Sequence, residues 1–246
     1  MKYIIDLIVN KILLKPFKLK VAYRSGSNPI DDIKTLLGND SVKYIVDGGA
    51  YRGDFSLDMA KAFPNAAILA FEPQNNSFAL LSKNTATIDR IKPVNYALGN
   101  KNGQALFYTN VSPLTNSLSK STSDAMEYFR GFNDLKTTEN VDVITLLDFC
   151  SKEGICDIDI LKLDLQGHEL QAIQGLGVLL NSVKLIYAEV EFLKLYEGAS
   201  LFSDIELYLR ERGFLFFQLY GLVRSPKNGR LLYGDAVFVN SKCISI

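Results

Sequence analysis

Chemistry-bearing residues gather where apolar runs stop. VKYIVD runs into GGAYRGDFS, so Asp47, Gly48, Gly49 and Gly53 straddle a strand-to-helix turn. Glycines suit such a turn because a side chain would keep a ligand from the backbone N–H groups, and because the turn takes positive φ. A dinucleotide fingerprint needs G-x-G-x-x-G, yet counting from Gly48 puts Ala50 where a pyrophosphate makes its closest approach. What stands instead is an acid followed by spaced glycines. A carboxylate at Asp47 suits a ligand bearing an ammonium group and repels a diphosphate. Glu72, 25 residues after Asp47, closes a second apolar run, and Pro73 stops that strand. A carboxylate there can accept both hydroxyl protons of a ribose diol, so Glu72 points to an adenosine ligand without saying which.

A second group follows the run IDILKLD. Asp164, at the carboxyl end of an apolar strand, either meets an acceptor molecule or is satisfied by backbone N–H groups. His168, the only histidine, is a candidate base near the same strand end, with a surface position on a first helical turn as the alternative. Glu189 and Glu191 share one face of the next strand, since side chains alternate with period 2. They could form an acid/base pair or simply meet solvent; no metal-ligand spacing is distinctive, and no metal is expected. Lys162 is set to pair with one of these acids or reach water. Gln166, Glu189, Glu191 and Tyr196, and Ser117 with Leu118, are candidate acceptor contacts.

The elements that must position these groups alternate. Strands are expected at 42–47, 66–72, 91–98, 158–164, 183–190, 214–219 and 235–240. Helical periods fall between several of them, in SLDMAKAF, NSFALLSKN, LQAIQGLGVLL and LFSDIELYLRERG, the last closed by Gly213. Strands separated by helices require crossovers. The expected fold is therefore a doubly wound α/β domain with a mainly parallel seven-stranded sheet and helices on both faces. Such sheets bind ligands beyond the carboxyl ends of their strands. The segment 109–140, rich in Ser, Thr and Asn, breaks the alternation and reads as a lid or a mobile insertion.

Composition narrows the function classes. Lys+Arg and Asp+Glu are equal at 27 each, so no basic field is available for a nucleic-acid backbone. Cys150, Cys156 and Cys243 form neither a C-x-x-C pair nor an even set, which argues against a disulfide framework or structural zinc and for a reducing, cytoplasmic setting. In residues 1–20 Asp6, Asn10 and Lys11 interrupt every apolar run well short of the roughly 18–20 residues a bilayer crossing needs. That segment reads as an amphipathic helix, packing on the domain or touching a membrane surface. The expected organisation is an N-terminal helical extension over 1–40 and one domain over 41–246.

Taken in order, VDGGAYRGDFS, AFEPQNNSFALLSKN, VNYALGN, VITLLDF, LKLDLQGHELQAIQGL, IYAEVEFLKLYEG and DAVFVN resemble the successive blocks of the FkbM family of S-adenosylmethionine-dependent methyltransferases. The likeness covers about 42–240, and the run from Asp164 to Glu169 is its most specific part. It implies a class I methyltransferase (Rossmann-like) fold with S-adenosylmethionine as cofactor. Asp47, Gly49 and Gly53 would lie around the methionine part with Gly48 and Ala50 in the same turn; Glu72, beside Pro73, would hold the ribose, and Ala97 would lie near the adenine. It also implies O-methylation of a hydroxyl on a sugar, glycan or related small molecule, often within polysaccharide biosynthesis. Gln166 stands where many members have Glu, so a role that needs a carboxylate there is not implied. Two other readings remain open from the residues: a nucleotide-dependent oxidoreductase or sugar-nucleotide enzyme, and a non-catalytic nucleoside-binding module.

Overall fold

The structure, a computed structural model, describes residues 28–38, 42–129 and 131–244. The expected amphipathic segment 1–20 lies outside them. The main sheet has seven strands: β1 Tyr44–Gly48, β2 Ala67–Phe71, β3 Ile91–Val94, β7 Ile160–Leu163, β8 Leu185–Glu191, β9 Phe214–Arg224 and β10 Leu231–Asn240. Their order is β3-β2-β1-β7-β8-β10-β9. The first five in that order are parallel, and β10 is antiparallel to both β8 and β9. The chain thus winds outward from β1 in one direction and from β7 in the other, which opens a crevice beyond the carboxyl ends of these two strands.

The two faces of the sheet carry separate cores, as expected for a layer covered on both sides. One gathers Val46, Phe71, Leu163 and Phe238 with the helices Leu146–Glu153 and Phe202–Arg210. The other gathers Ile45, Ile68, Met59, Phe63 and Leu81. Ile33, wholly buried, joins this second core from the helix Pro29–Leu37, and the Tyr220 hydroxyl donates to Asp32 at 2.8 Å. The described part of the expected extension therefore packs as a layer of the domain.

Two expectations are corrected. The run 91–98 is not one strand: it turns at Asn95, whose side-chain amide donates to the carbonyls of Glu72 and Pro73, and Ala97–Leu98 (β4) leaves for another sheet. The segment 109–140, expected as a lid or a mobile insertion, is built largely from regular elements. β5 (Gly103–Asn110) and β6 (Leu135–Ile144) form an antiparallel ribbon, which with β4 makes a three-stranded sheet in the order β4-β6-β5. Between them lie a 3-10 turn at Pro113–Thr115 and the helix Ser123–Tyr128. The ribbon's outer half is exposed along most of its length, so it carries none of the apolar alternation by which a half-buried strand is recognised. The expected helix 170–180 also divides, into Glu169–Gln174 and a 3-10 segment Gly177–Ser182. At the break a Cβ on Gly175 would stand 2.0 Å from the Gly99 carbonyl oxygen.

At the centre of the sheet, Asp47 of β1 and Lys162 of β7 are register partners and form an ion pair of 3.1 Å. Asp47 is fully buried and Lys162 nearly so. The Ser56 hydroxyl donates to the second Asp47 oxygen at 2.6 Å, tying the following helix to the same pair. Removing one partner of a buried pair strands the other's charge. Lys162→Met should lower the unfolding free energy by about 3–5 kcal/mol, and adding Asp47→Asn should restore part of it. Urea denaturation of the two variants decides this, and an additive double variant would show that the pair carries no coupling.

Candidate functional site

The crevice holds two adjoining cavities. The first is bounded by Gly49 and Tyr51 after β1, Glu72 and Pro73 after β2, Ala97 and Leu98 of β4, and Asp164, Leu165, Gln166 and His168 after β7, with Phe107, Leu114 and Leu118 closing it from the side of the smaller sheet and the insertion. Phe71, Tyr96, Ala97, Leu98, Phe107 and Leu118 make a slot that is apolar on both sides. At its end stands Glu72, whose oxygens accept from the Tyr51 N–H and the Gln74 N–H, each at 2.9 Å. Each oxygen keeps a lone pair for a further donor. An apolar slot beside a strand-end carboxylate fits a nucleoside, base in the slot and diol on the acid.

Backbone geometry holds the walls close. Gly49 has φ +75°, and a Cβ there would stand 1.9 Å from the Asp164 carbonyl oxygen, so β1 and β7 meet at this turn with no room for a side chain. Gly53, at φ +94°, begins the helix Asp54–Ala62. Among the described residues only Tyr51 (φ 50°) and Gln166 (φ 53°) are non-glycine residues in the left-handed region. Both line this cavity, and each conformation costs about 1 kcal/mol.

The second cavity shares Leu114, Asp164 and Gln166 with the first. Its other walls are Phe129, Phe132, Tyr196 and Tyr233, the carboxyl of Glu189, and Ser112, Thr115, Asn133 and Leu195. Asp164 lies on the wall between the two, its side chain 45% exposed. Gln166 links the acids there: its amide donates to Asp164 and to Glu189, each at 2.7 Å, and accepts from the Tyr196 hydroxyl at 2.5 Å.

The structure brings most, not all, of the expected residues to these cavities. Gly49, Glu72, Pro73, Ala97, Asp164, Gln166 and His168 line the first, and Glu189 and Tyr196 line the second. Asp47 lines neither: its carboxylate is spent inside the protein on Lys162 and Ser56, so the expected direct contact with a ligand's ammonium group has no geometry behind it. Gly48, Ala50 and Gly53 shape the turn from behind. Glu191 is buried and accepts from the Leu195 N–H at 2.7 Å, away from both cavities. Ser117 is buried too, its hydroxyl donating to the Gln166 carbonyl at 2.7 Å and accepting from the Ser119 N–H.

Lys162, expected to pair with the acids that follow β7 and lie on β8 or to reach water, has its ion pair instead with Asp47, and stands 4.0 Å from Asp164. It reaches Asp47 and the carbonyls of Gly48 (3.3 Å) and Gly49 (3.0 Å). Burial pulls its pKa down, but Asp47 and then Asp164 outweigh this and hold it above the ordinary lysine value.

Sequence reasoning missed Glu169, which reaches back to accept from the Leu165 N–H at 2.7 Å and the Gly167 N–H at 3.1 Å and so caps the Asp164–Gly167 turn. An acid in a first helical turn after a glycine was the available signal. Burial pushes its pKa up to about 8. Burial likewise raises Glu72 and Glu191 to about 7 against the opposing pull of backbone N–H donors, and Glu189 well above the usual carboxylate range, with Asp164 as the next cause. Burial lowers the pKa of His168, and its Nδ1 lies 3.3 Å from the Ser119 hydroxyl.

The fold and the site define a nucleoside-dependent α/β enzyme. A family model described as the methyltransferase FkbM domain matches residues 47–216. The chain belongs to that family, has the class I methyltransferase fold, and takes S-adenosylmethionine as its cofactor. It is 27% identical over 165 residues to 2-O-methyltransferase NoeI of Sinorhizobium fredii, covering 63% of this chain and 65% of that one, and thus spans just under two thirds of NoeI. It is 30% identical over 207 residues to methyltransferase sdnD of Sordaria araneosa, covering 74% and 76%. Among solved structures, M. capricolum TrmK in complex with S-adenosyl-homocysteine aligns at 9% identity over 87% of this chain and 68% of that one, with a TM-score of 0.47.

If Glu72 takes the ribose diol, its ionised form is the one that binds, because a carboxylate accepts both hydroxyl protons. Its pKa near 7 in the free protein would then fall on binding, so affinity should rise with pH through that value. Calorimetric titration with S-adenosylhomocysteine should show about three- to tenfold tighter binding at pH 8 than at pH 6, and Glu72→Gln should weaken binding and flatten the dependence. Equal affinity at both pH values in the unaltered protein would remove Glu72 from this role.

Proposed function

We propose that this protein transfers the methyl group of S-adenosylmethionine to a hydroxyl of a sugar, glycan or related small molecule. The observation that carries the reading is the position of Asp164, an exposed carboxylate on the wall common to a nucleoside-shaped slot and a cavity lined by aromatic rings and an acid. Aromatic faces suit the C–H faces of a sugar ring, and carboxyl groups suit its hydroxyls. The 2-O-methyl transfer for which NoeI is named agrees with an oxygen acceptor.

The bound cofactor supplies an electrophilic methyl group on a sulfonium, and the C–S electron pair stays on sulfur as the acceptor oxygen forms its bond to the methyl carbon. The protein's part is alignment and proton acceptance. Tyr196, Tyr233 and Phe132 fix the acceptor ring, Glu189 fixes a neighbouring hydroxyl, and the hydroxyl proton passes to Asp164. Asp164 is favoured over His168 because it borders both cavities, whereas His168 borders the first and faces Ser119. A reducing, cytoplasmic setting is part of the reading, supported by three free cysteines.

Methyl transfer from radiolabelled S-adenosylmethionine to a panel of glycosides tests the proposal. Asp164→Asn should reduce kcat by roughly 10²–10⁴-fold, the span for a lost general base, and His168→Ala by less than about tenfold. Methylation confined to nitrogen acceptors would overturn the oxygen assignment, and equal losses in both variants would overturn the choice of base.

A further inference from the structure

We propose that Gln166 is a positioning residue, which holds the carboxylates of Asp164 and Glu189 in fixed orientation on the shared wall and acts on the acceptor only through them. This rests on the reading of the second cavity as the acceptor site. The argument starts from the amide's own valences. A primary amide carries two N–H donors and a carbonyl acceptor. Here one donor goes to Asp164 Oδ1 and the other to Glu189 Oε2, both at 2.7 Å, while Oε1 accepts from the Tyr196 hydroxyl at 2.5 Å. Nothing is left on the nitrogen for a ligand. The opposite amide orientation would turn the carbonyl oxygen toward Asp164 and take the acceptor away from the Tyr196 hydroxyl.

The main chain of Gln166 is held as firmly. Its carbonyl accepts from the buried Ser117 hydroxyl, and its backbone keeps the left-handed φ of +53° that glycine would adopt freely. The side-chain atoms therefore project from a backbone held in place by that hydrogen bond. What they accomplish is visible in the carboxylates. Gln166 is the donor that Asp164 and Glu189 have in common; the Lys162 ammonium lies 4.0 Å from Asp164 Oδ2 and is committed to Asp47 and two backbone carbonyls. With one Asp164 oxygen pinned by the amide, the other is left for the acceptor. Without the amide, two half-buried carboxyl groups would face each other with nothing between them. They would turn apart, and the proton acceptor would lose its aim. A carboxylate at position 166 would have no N–H to give either acid, so glutamate is no substitute for the amide in this chain.

Three measurements on the full chain test this: calorimetry with S-adenosylhomocysteine, crystal structures of the same complex, and methyl transfer to methyl glycosides of neutral hexoses and deoxyhexoses. Gln166→Leu removes every polar contact at similar volume; Gln166→Glu keeps the acceptor for Tyr196 but withdraws both donors. Both variants should bind S-adenosylhomocysteine within about threefold of the unaltered protein, since the amide faces the acceptor side. In the crystal of Gln166→Leu the Asp164 and Glu189 carboxyl groups should have rotated apart. The kcat should fall on the order of 10²-fold in both variants with KM for S-adenosylmethionine unchanged, the mark of lost alignment. Carboxylates that keep their orientation in Gln166→Leu, or a kcat within about threefold of the unaltered value, would overturn the proposal. Should the leucine variant not fold, Gln166→Asn, whose shorter amide cannot span both acids, carries the same comparison. If the unaltered protein binds the nucleoside but methylates none of the glycosides, the acceptor reading falls, and the crystal structures still decide the role of Gln166.

Discussion

The pairing of β1 with β7 around the buried Asp47–Lys162 ion pair is the constraint on which the site rests. Two charges are taken out of water here, and their attraction offsets this only because the surrounding hydrogen bonds are also made. Ser56 supplies one to Asp47, and the Gly48 and Gly49 carbonyls accept from Lys162. The consequence is geometric. The turn after β1 is drawn against the turn after β7 until Gly49 touches the Asp164 backbone, and both turns then face one crevice. The cofactor-side and acceptor-side groups are thereby set by a single junction of two parallel strands.

The two sides of the crevice use polar groups differently. On the cofactor side, Glu72 is satisfied by backbone N–H groups and still has lone pairs to offer. On the acceptor side, carboxyl groups crowd together: Asp164 and Glu189 face the cavity, with Glu169 and Glu191 buried close behind and Asp235 opposite Glu189 in the sheet. Burial raises Glu189, Glu191, Glu169 and Asp235 alike above the usual carboxylate range. Such crowding is tolerable because each acid has its own donor, from a backbone N–H at Glu169 and Glu191, the Tyr187 hydroxyl at Asp235 and the Gln166 amide at Glu189. The insertion joins this network through Ser117 and closes both cavities, which makes it a wall of the site.

Much of this architecture is legible in the amino-acid sequence. The seven strands of the main sheet come from local runs of β-branched and apolar residues, and the glycine turn, Glu72 and Asp164 are fixed by their places at strand ends. These features depend on near neighbours in the chain and on a repeat of two or 3.6 residues, so sequence by itself determined the fold class, the location of the crevice and the family. The β5–β6 ribbon is not legible, because its buried positions, Phe107 and Asn110 in one strand and Val141 and Ile144 in the other, stand three residues apart and give no alternation with period 2. Nor is the division of labour among the acids. Whether Asp47 meets a ligand or Lys162, whether Glu191 faces the cavity or Leu195, and whether Gln166 touches the acceptor or clasps two carboxylates depends on which distant segments arrive beside each side chain. A carboxylate's role is set by the donors and the solvent it meets, and only the tertiary structure chooses those.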